Sequence, residues 1–124
     1  MSKSAAILVL WIVFFPDFSH AEIVAHPGGC PRQAFCGCGA SVHLFGRPIR
    51  SLFLASNWLK FPRSQPGYNK VAVRRGHVFV LKQHINGATW LVYDANSGGH
   101  ATRLHPRSVA GYTIVSPDAH VSSN

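Results

Sequence analysis

The residues of this chain able to do nucleophilic chemistry are three cysteines, a histidine and an acid-x-amide pair. His77 opens the run His77-Val78-Phe79-Val80, and Asp94-Ala95-Asn96 closes the run that starts at Trp90. Between them Asn86-Gly87 is a tight-turn signal, so a hairpin would set the histidine against the carboxylate and the amide. Upstream, Cys36 and Cys38 flank Gly37 at the head of an apolar stretch. A thiol attacks as its thiolate, which needs a nearby imidazole, and the imidazole needs a polar partner to fix its tautomer. Cys38 is the favoured nucleophile. It stands at the expected N-terminus of a helix, where unpaired N–H groups and the macrodipole favour a thiolate. Cys36 competes for the role from two residues away. Gly37 and Gly39 would let a substrate backbone come close. His77 would take the Cys38 proton and later deliver it to a leaving amine. Asp94 and Asn96, on one side of a regular strand, would hold the imidazole. Each residue also has a plainer reading: a buried or disulfide-bonded cysteine, a core histidine sharing a face with Phe79 and Leu81, and an Asx turn from Asp94 to Gly99.

The elements that must position these groups follow from the hydrophobic pattern. Residues 38–45 lack proline and space Ala, Val, Leu and Phe as a buried helix does, with Gly46 and Pro48 to end it. Ser51 then reads as the N-cap of a second helix carrying Leu52, Leu54, Ala55, Trp58 and Leu59, stopped by Pro62. Beyond Pro66-Gly67 the pattern turns to strands at 71–74, 77–82, 89–94, 101–105 and 112–115. Helices first and an antiparallel meander after is an α+β pattern.

Cys36-Gly37-Cys38, Gly76-His77-Val78, Asp94-Ala95-Asn96, Ala101-Thr102-Arg103-Leu104 and Gly111-Tyr112-Thr113-Ile114-Val115 occur in the order of a known family's motifs. They resemble the CHAP family, cysteine- and histidine-dependent amidohydrolases and peptidases of papain-like fold, over residues 33–116. The resemblance implies two N-terminal helices packed on a small antiparallel sheet of about five strands. It also implies an exported cysteine amidase or endopeptidase that hydrolyses amide bonds of peptidoglycan peptides without a cofactor. It gives the orienting role to Asp94 and adds Asn96 as a fourth member. It offers Gln33 as an oxyanion-hole amide and Trp58, in Asn57-Trp58, as a cleft-lining side chain. An exposed glutamine and a core tryptophan are the plainer readings of these two. The chain departs from the family in placing Gly39-Ala40-Ser41 where bulky residues usually follow the nucleophile, and in the short stretch from cysteine to histidine. The alternative function is therefore a non-catalytic basic papain-like module that binds cell-wall or other anionic polymers.

Residues 1–21 read as a secretory signal peptide, with Lys3, an apolar run from Ala5 to Phe15 and the small-x-small site Ser19-His20-Ala21. A secreted or periplasmic chain with no integral membrane segment after signal removal is expected. The remainder, from Glu22 onward, has the length of one domain: a lead-in at 22–32 rich in proline and glycine, the domain proper at 33–116, and a polar, disordered tail at 117–124. Twelve Lys and Arg against four Asp and Glu give a formal charge of +8, which removal of Lys3 and Asp17 leaves unchanged. Such a charge biases an exported domain towards polyanions, a wall polymer among them. Three cysteines are an odd number. Cys30 can pair with Cys36, which leaves Cys38 free, or with Cys38, and three free thiols are a further possibility. No common zinc spacing, phosphate loop or nucleic-acid-binding signature occurs, so neither a metal nor a specific nucleic acid is expected.

Overall fold

The computed structural model describes residues 21–119, so the expected signal peptide up to His20 and the expected tail from residue 120 lie outside the described residues, while Pro117–Ala119, expected to be disordered with that tail, forms a short 3₁₀ helix. β-branched and aromatic residues dominate the second half of the chain, and there they pair into a long antiparallel meander. The strands are β1 (Glu22–Val24), β2 (Val71–Arg74), β3 (His77–Asn86), β4 (Thr89–Asp94), β5 (Thr102–Ser108) and β6 (Thr113–Val115). They form one six-stranded sheet in the order β1-β5-β4-β3-β2-β6, with every pairing antiparallel. One α-helix, α1 (Cys36–Phe45), crosses one face.

Strand alternation divides the core in two. Val71, Val73, Val78, Val80, Tyr93 and Val115 face α1 and pack with Phe35, Leu52 and Trp58. Ala72, Phe79, Leu81, Val92 and Ile114 face the other way, covered by Trp90, Val109 and Tyr112.

The expected papain-like α+β plan, with two N-terminal helices on a sheet of about five strands, is corrected. The fold is mostly sheet, with one helix of ten residues. The segment read as a second helix forms two short 3₁₀ helices, Arg50–Leu52 and Ala55–Lys60, and Ser51 does not cap either of them. Side chains take the carbonyls that an α-helix would use. The indole N–H of Trp58 donates to Leu52 O at 2.9 Å, and Asn57 Nδ2 donates to Ser51 O at 2.9 Å. The sixth strand comes from the lead-in, where Glu22, Ile23 and Val24 pair with Leu104, Arg103 and Thr102. The β3–β4 hairpin pairs Asn86 with Thr89, so its turn is Gly87-Ala88, one residue later than Asn86-Gly87.

The close seat of α1 depends on its glycines. A Cβ at Gly37 would overlap the carbonyl groups of Leu52 and Phe53, and one at Gly39 would overlap the Ala95 side chain and crowd Pro27. Gly37 admits the chain's own backbone and Gly39 the Ala95 side chain, where a substrate backbone was expected. At the far end Gly46, in the left-handed conformation at φ 75°, donates its N–H to Val42 O and closes the helix. Gly37→Ala meets rigid backbone, where overpacking costs about 3 kcal/mol. Thermal unfolding should show a midpoint lowered by roughly 10–20 °C; an unchanged midpoint would contradict this seat for the helix.

Candidate active site

Two tight turns and one helix end build the site. Arg74 pairs with His77 across the β2–β3 hairpin, so Arg75-Gly76 is a two-residue turn, with Gly76 at φ 82°. That turn sets His77 at the start of β3 and brings the Gly76 carbonyl to 4.0 Å from Cys36 Sγ. Cys36 opens α1 at its first position; Phe35 stands before it and no side chain caps the helix. The first N–H groups of α1 are therefore without helical partners. On β4, Asp94 is the last strand residue and is fully buried.

His77 and Asp94 are joined by a hydrogen bond, Nε2 donating to Asp94 Oδ1 at 2.6 Å, which leaves Nδ1 as the ring nitrogen able to serve the Cys36 thiol, whose own contact is the Gly76 carbonyl. Burial pushes the Cys36 thiol up, but the hydrogen bond and charge of His77 and the N–H groups of Val78 and Gly37 bring it below its ordinary value. Burial pushes His77 down, and its hydrogen bonds to Asp94 and Cys36 outweigh this and raise it to about 9. Burial likewise raises Asp94, while hydrogen bonds from His77, His105 and Arg107 and the charge of His77 carry it below the carboxylate range. All three shifts favour the charged forms: thiolate, imidazolium and carboxylate.

Cys38, expected as the nucleophile, is not a free thiol. Cys38 is bonded to Cys30 in a disulfide and is fully buried, so the Cys30–Cys36 pairing does not form and Cys36 is the free thiol. The spacing from Cys30 does not separate the two pairings. The folded chain brings Cys38 to Cys30, and α1 begins two residues before the expected position.

Asn96 does not join the triad. The strand ends at Asp94, and Asn96 adopts φ 56°, which breaks the alternation that would have kept both side chains on one side. Among the described residues it makes no hydrogen bond to His77 or Asp94. Gln33 is exposed in the loop before α1 and has no hydrogen bond to Cys36 or His77. Trp58 is fully buried between Phe45 and Phe61 and lines no cleft.

Sequence reasoning missed two residues. His105 Nε2 and Arg107 Nη1 both donate to Asp94 Oδ2, at 2.7 and 3.0 Å. The signal was their alternation with Leu104 and Pro106 along a strand beside the one that carries Asp94.

An open apolar pocket of about 510 Å³, lined by Pro66, His84, Gly87, Ala88, Trp90 and Val109, lies at the β3–β4 turn. That is the opposite end of these strands from His77 and Asp94, and it contributes none of the reacting groups. No helix among the described residues is long and apolar enough to cross a membrane.

Asp94 links the site to stability. Its folded pKa lies below its unfolded value, so its contribution is present above about pH 4 and lost as pH falls through the folded value. Denaturant unfolding between about pH 5 and pH 2 should show stability falling with acid in the natural chain and a flatter profile in Asp94→Asn. Parallel profiles would contradict the ionised, triply bonded carboxylate.

No family model, no curated protein and no solved structure matches this chain, so its functional reading rests on Cys36, His77 and Asp94.

Proposed function

We propose that the chain is an exported cysteine hydrolase that cleaves amide bonds in peptidoglycan peptides. The observation that carries this reading is one free thiol at an uncapped helix start, next to the turn that sets His77, whose ring is hydrogen-bonded to a buried carboxylate. The Cys36 thiolate adds to the carbonyl carbon of the scissile amide, and the developing oxyanion is met by free N–H groups at the start of α1. His77, as imidazolium, gives its proton to the leaving amine as the C–N bond breaks, and a thioester on Cys36 remains. A water molecule then gives a proton to His77 and adds to the thioester, releasing the carboxylic acid and restoring the thiolate–imidazolium pair. Asp94 keeps one tautomer and one ring orientation throughout.

The substrate class has separate support. The motifs Gly76-His77-Val78 and Asp94-Ala95-Asn96 resemble those of CHAP amidohydrolases, which act on wall peptides. The +8 charge suits an anionic wall polymer. The Cys30–Cys38 disulfide suits an oxidising compartment, in keeping with export into the periplasm or beyond.

Purified peptidoglycan, digested with the chain and analysed for newly exposed amino groups, tests the reading. Hydrolysis should appear and fall by about a thousand-fold or more in Cys36→Ala and in His77→Ala. Equal hydrolysis in natural and Cys36→Ala chains would remove Cys36 as nucleophile. Retention on the polymer without any cleavage would favour a binding module.

A further inference from the structure

The triad uses one oxygen of Asp94, yet the chain invests more in the other. Asp94 is the one fully buried charged side chain among the described residues. His77 holds Oδ1, while His105 and Arg107 both donate to Oδ2. Both come from β5, where His105 stands opposite Val92 and Arg107 opposite Trp90, so they rise on the face that Asp94 shares. Arg107 is itself fixed. Its Nη2 donates to the Tyr112 hydroxyl at 3.2 Å, and its guanidinium lies 5.0 Å from the centre of the Phe79 ring.

An orienting carboxylate is useful only if it cannot rotate about its last bond. With one hydrogen bond to His77 it could turn and carry the imidazole with it. Two donors on Oδ2 remove that freedom and satisfy an oxygen that is closed off from solvent.

We propose that His105 and Arg107 are positioning residues that lock the Asp94 carboxylate so that Oδ1 addresses His77 Nε2 and keeps His77 aligned as the proton acceptor of Cys36. This inference rests on the Cys36–His77 reading.

Charge alone predicts the opposite effect, which makes the role testable. Arg107, a cationic donor beside Asp94, opposes the charge on His77. By electrostatics, its removal would favour imidazolium and move thiolate formation to lower pH. Loss of alignment weakens the pair and moves it to higher pH. The other charged groups near the site are Arg74, opposite His77 on β2 and lying over Tyr112, and Arg103, opposite Asp94 on β5. Arg103 is bound to Ser97 and Gly98.

The experiment is the pH profile of Cys36 alkylation in the folded, disulfide-intact chain, read by peptide mass spectrometry. His105→Leu and Arg107→Met should each move the profile up by about one pH unit, a tenfold slower reaction on its acid side. His105→Gln, whose side-chain amide can replace the Nε2 donor, should recover most of the natural profile, and so should Arg107→Lys in part. Profiles that stay in place or move to lower pH overturn the positioning role while leaving the nucleophile reading intact. A natural chain that alkylates only as an ordinary thiol does overturns both. Should the apolar variants fail to fold, histidine-labelled NMR of the natural chain decides. His105 must then carry a hydrogen-bonded proton on Nε2 near neutral pH, and an Nε2 without one overturns the proposal.

Discussion

A carboxylate with no access to water is tolerable only when its oxygens are met by donors, and Asp94 is such a group. Its three partners come from two strands, β3 on one side of β4 and β5 on the other. Three strands must therefore stand in fixed register before the charge can be buried. Removing one member of a buried, hydrogen-bonded charge cluster costs about 3–5 kcal/mol, a large part of a small domain's stability. The cluster that orients the histidine and the register of the central sheet are thus one constraint.

The thiol side is set by a second constraint, which is covalent. The Cys30–Cys38 bridge ties the lead-in to α1 around the loop that carries Cys36. Inside that loop Phe35 is fully buried against His26. The two glycines of Cys36-Gly37-Cys38-Gly39 let the helix settle onto the carbonyls of the next segment and onto Ala95, the residue after Asp94. The helix and the end of β4 are in direct contact through Gly39 and Ala95. Cys36 and Asp94 are thereby placed by neighbouring residues of the same packed seam.

The sequence showed the strands and the histidine–carboxylate pairing because both depend on local patterns. Alternation marked β2, β-branched and aromatic content marked β3, Asn86-Gly87 marked the turn into β4 to within one residue, and His77 and Asp94 sat at strand ends. Two other features depend on distant partners. Whether residues 50–60 coil as an α-helix or as 3₁₀ turns is decided by where the Trp58 indole finds an acceptor, and the sequence does not display this. Which cysteine stays free depends on which of the two meets Cys30 in the folded chain, and α1 itself begins two residues early, a difference below the precision with which helix ends can be read. His105 and Arg107 carry no local signal, because their role exists only once β5 lies beside β4. The same holds for Glu22–Val24, whose partners Thr102, Arg103 and Leu104 lie near the other end of the chain.

The central claim is that Cys36 is a thiolate held by His77. Ultraviolet absorbance of the thiolate, titrated against pH in the natural chain and in Cys36→Ala, measures this most directly. The account predicts a band belonging to Cys36 that persists well below the reference thiol pKa of about 8.5 and is missing in the variant. A Cys36 band that appears only at or above that reference would contradict it.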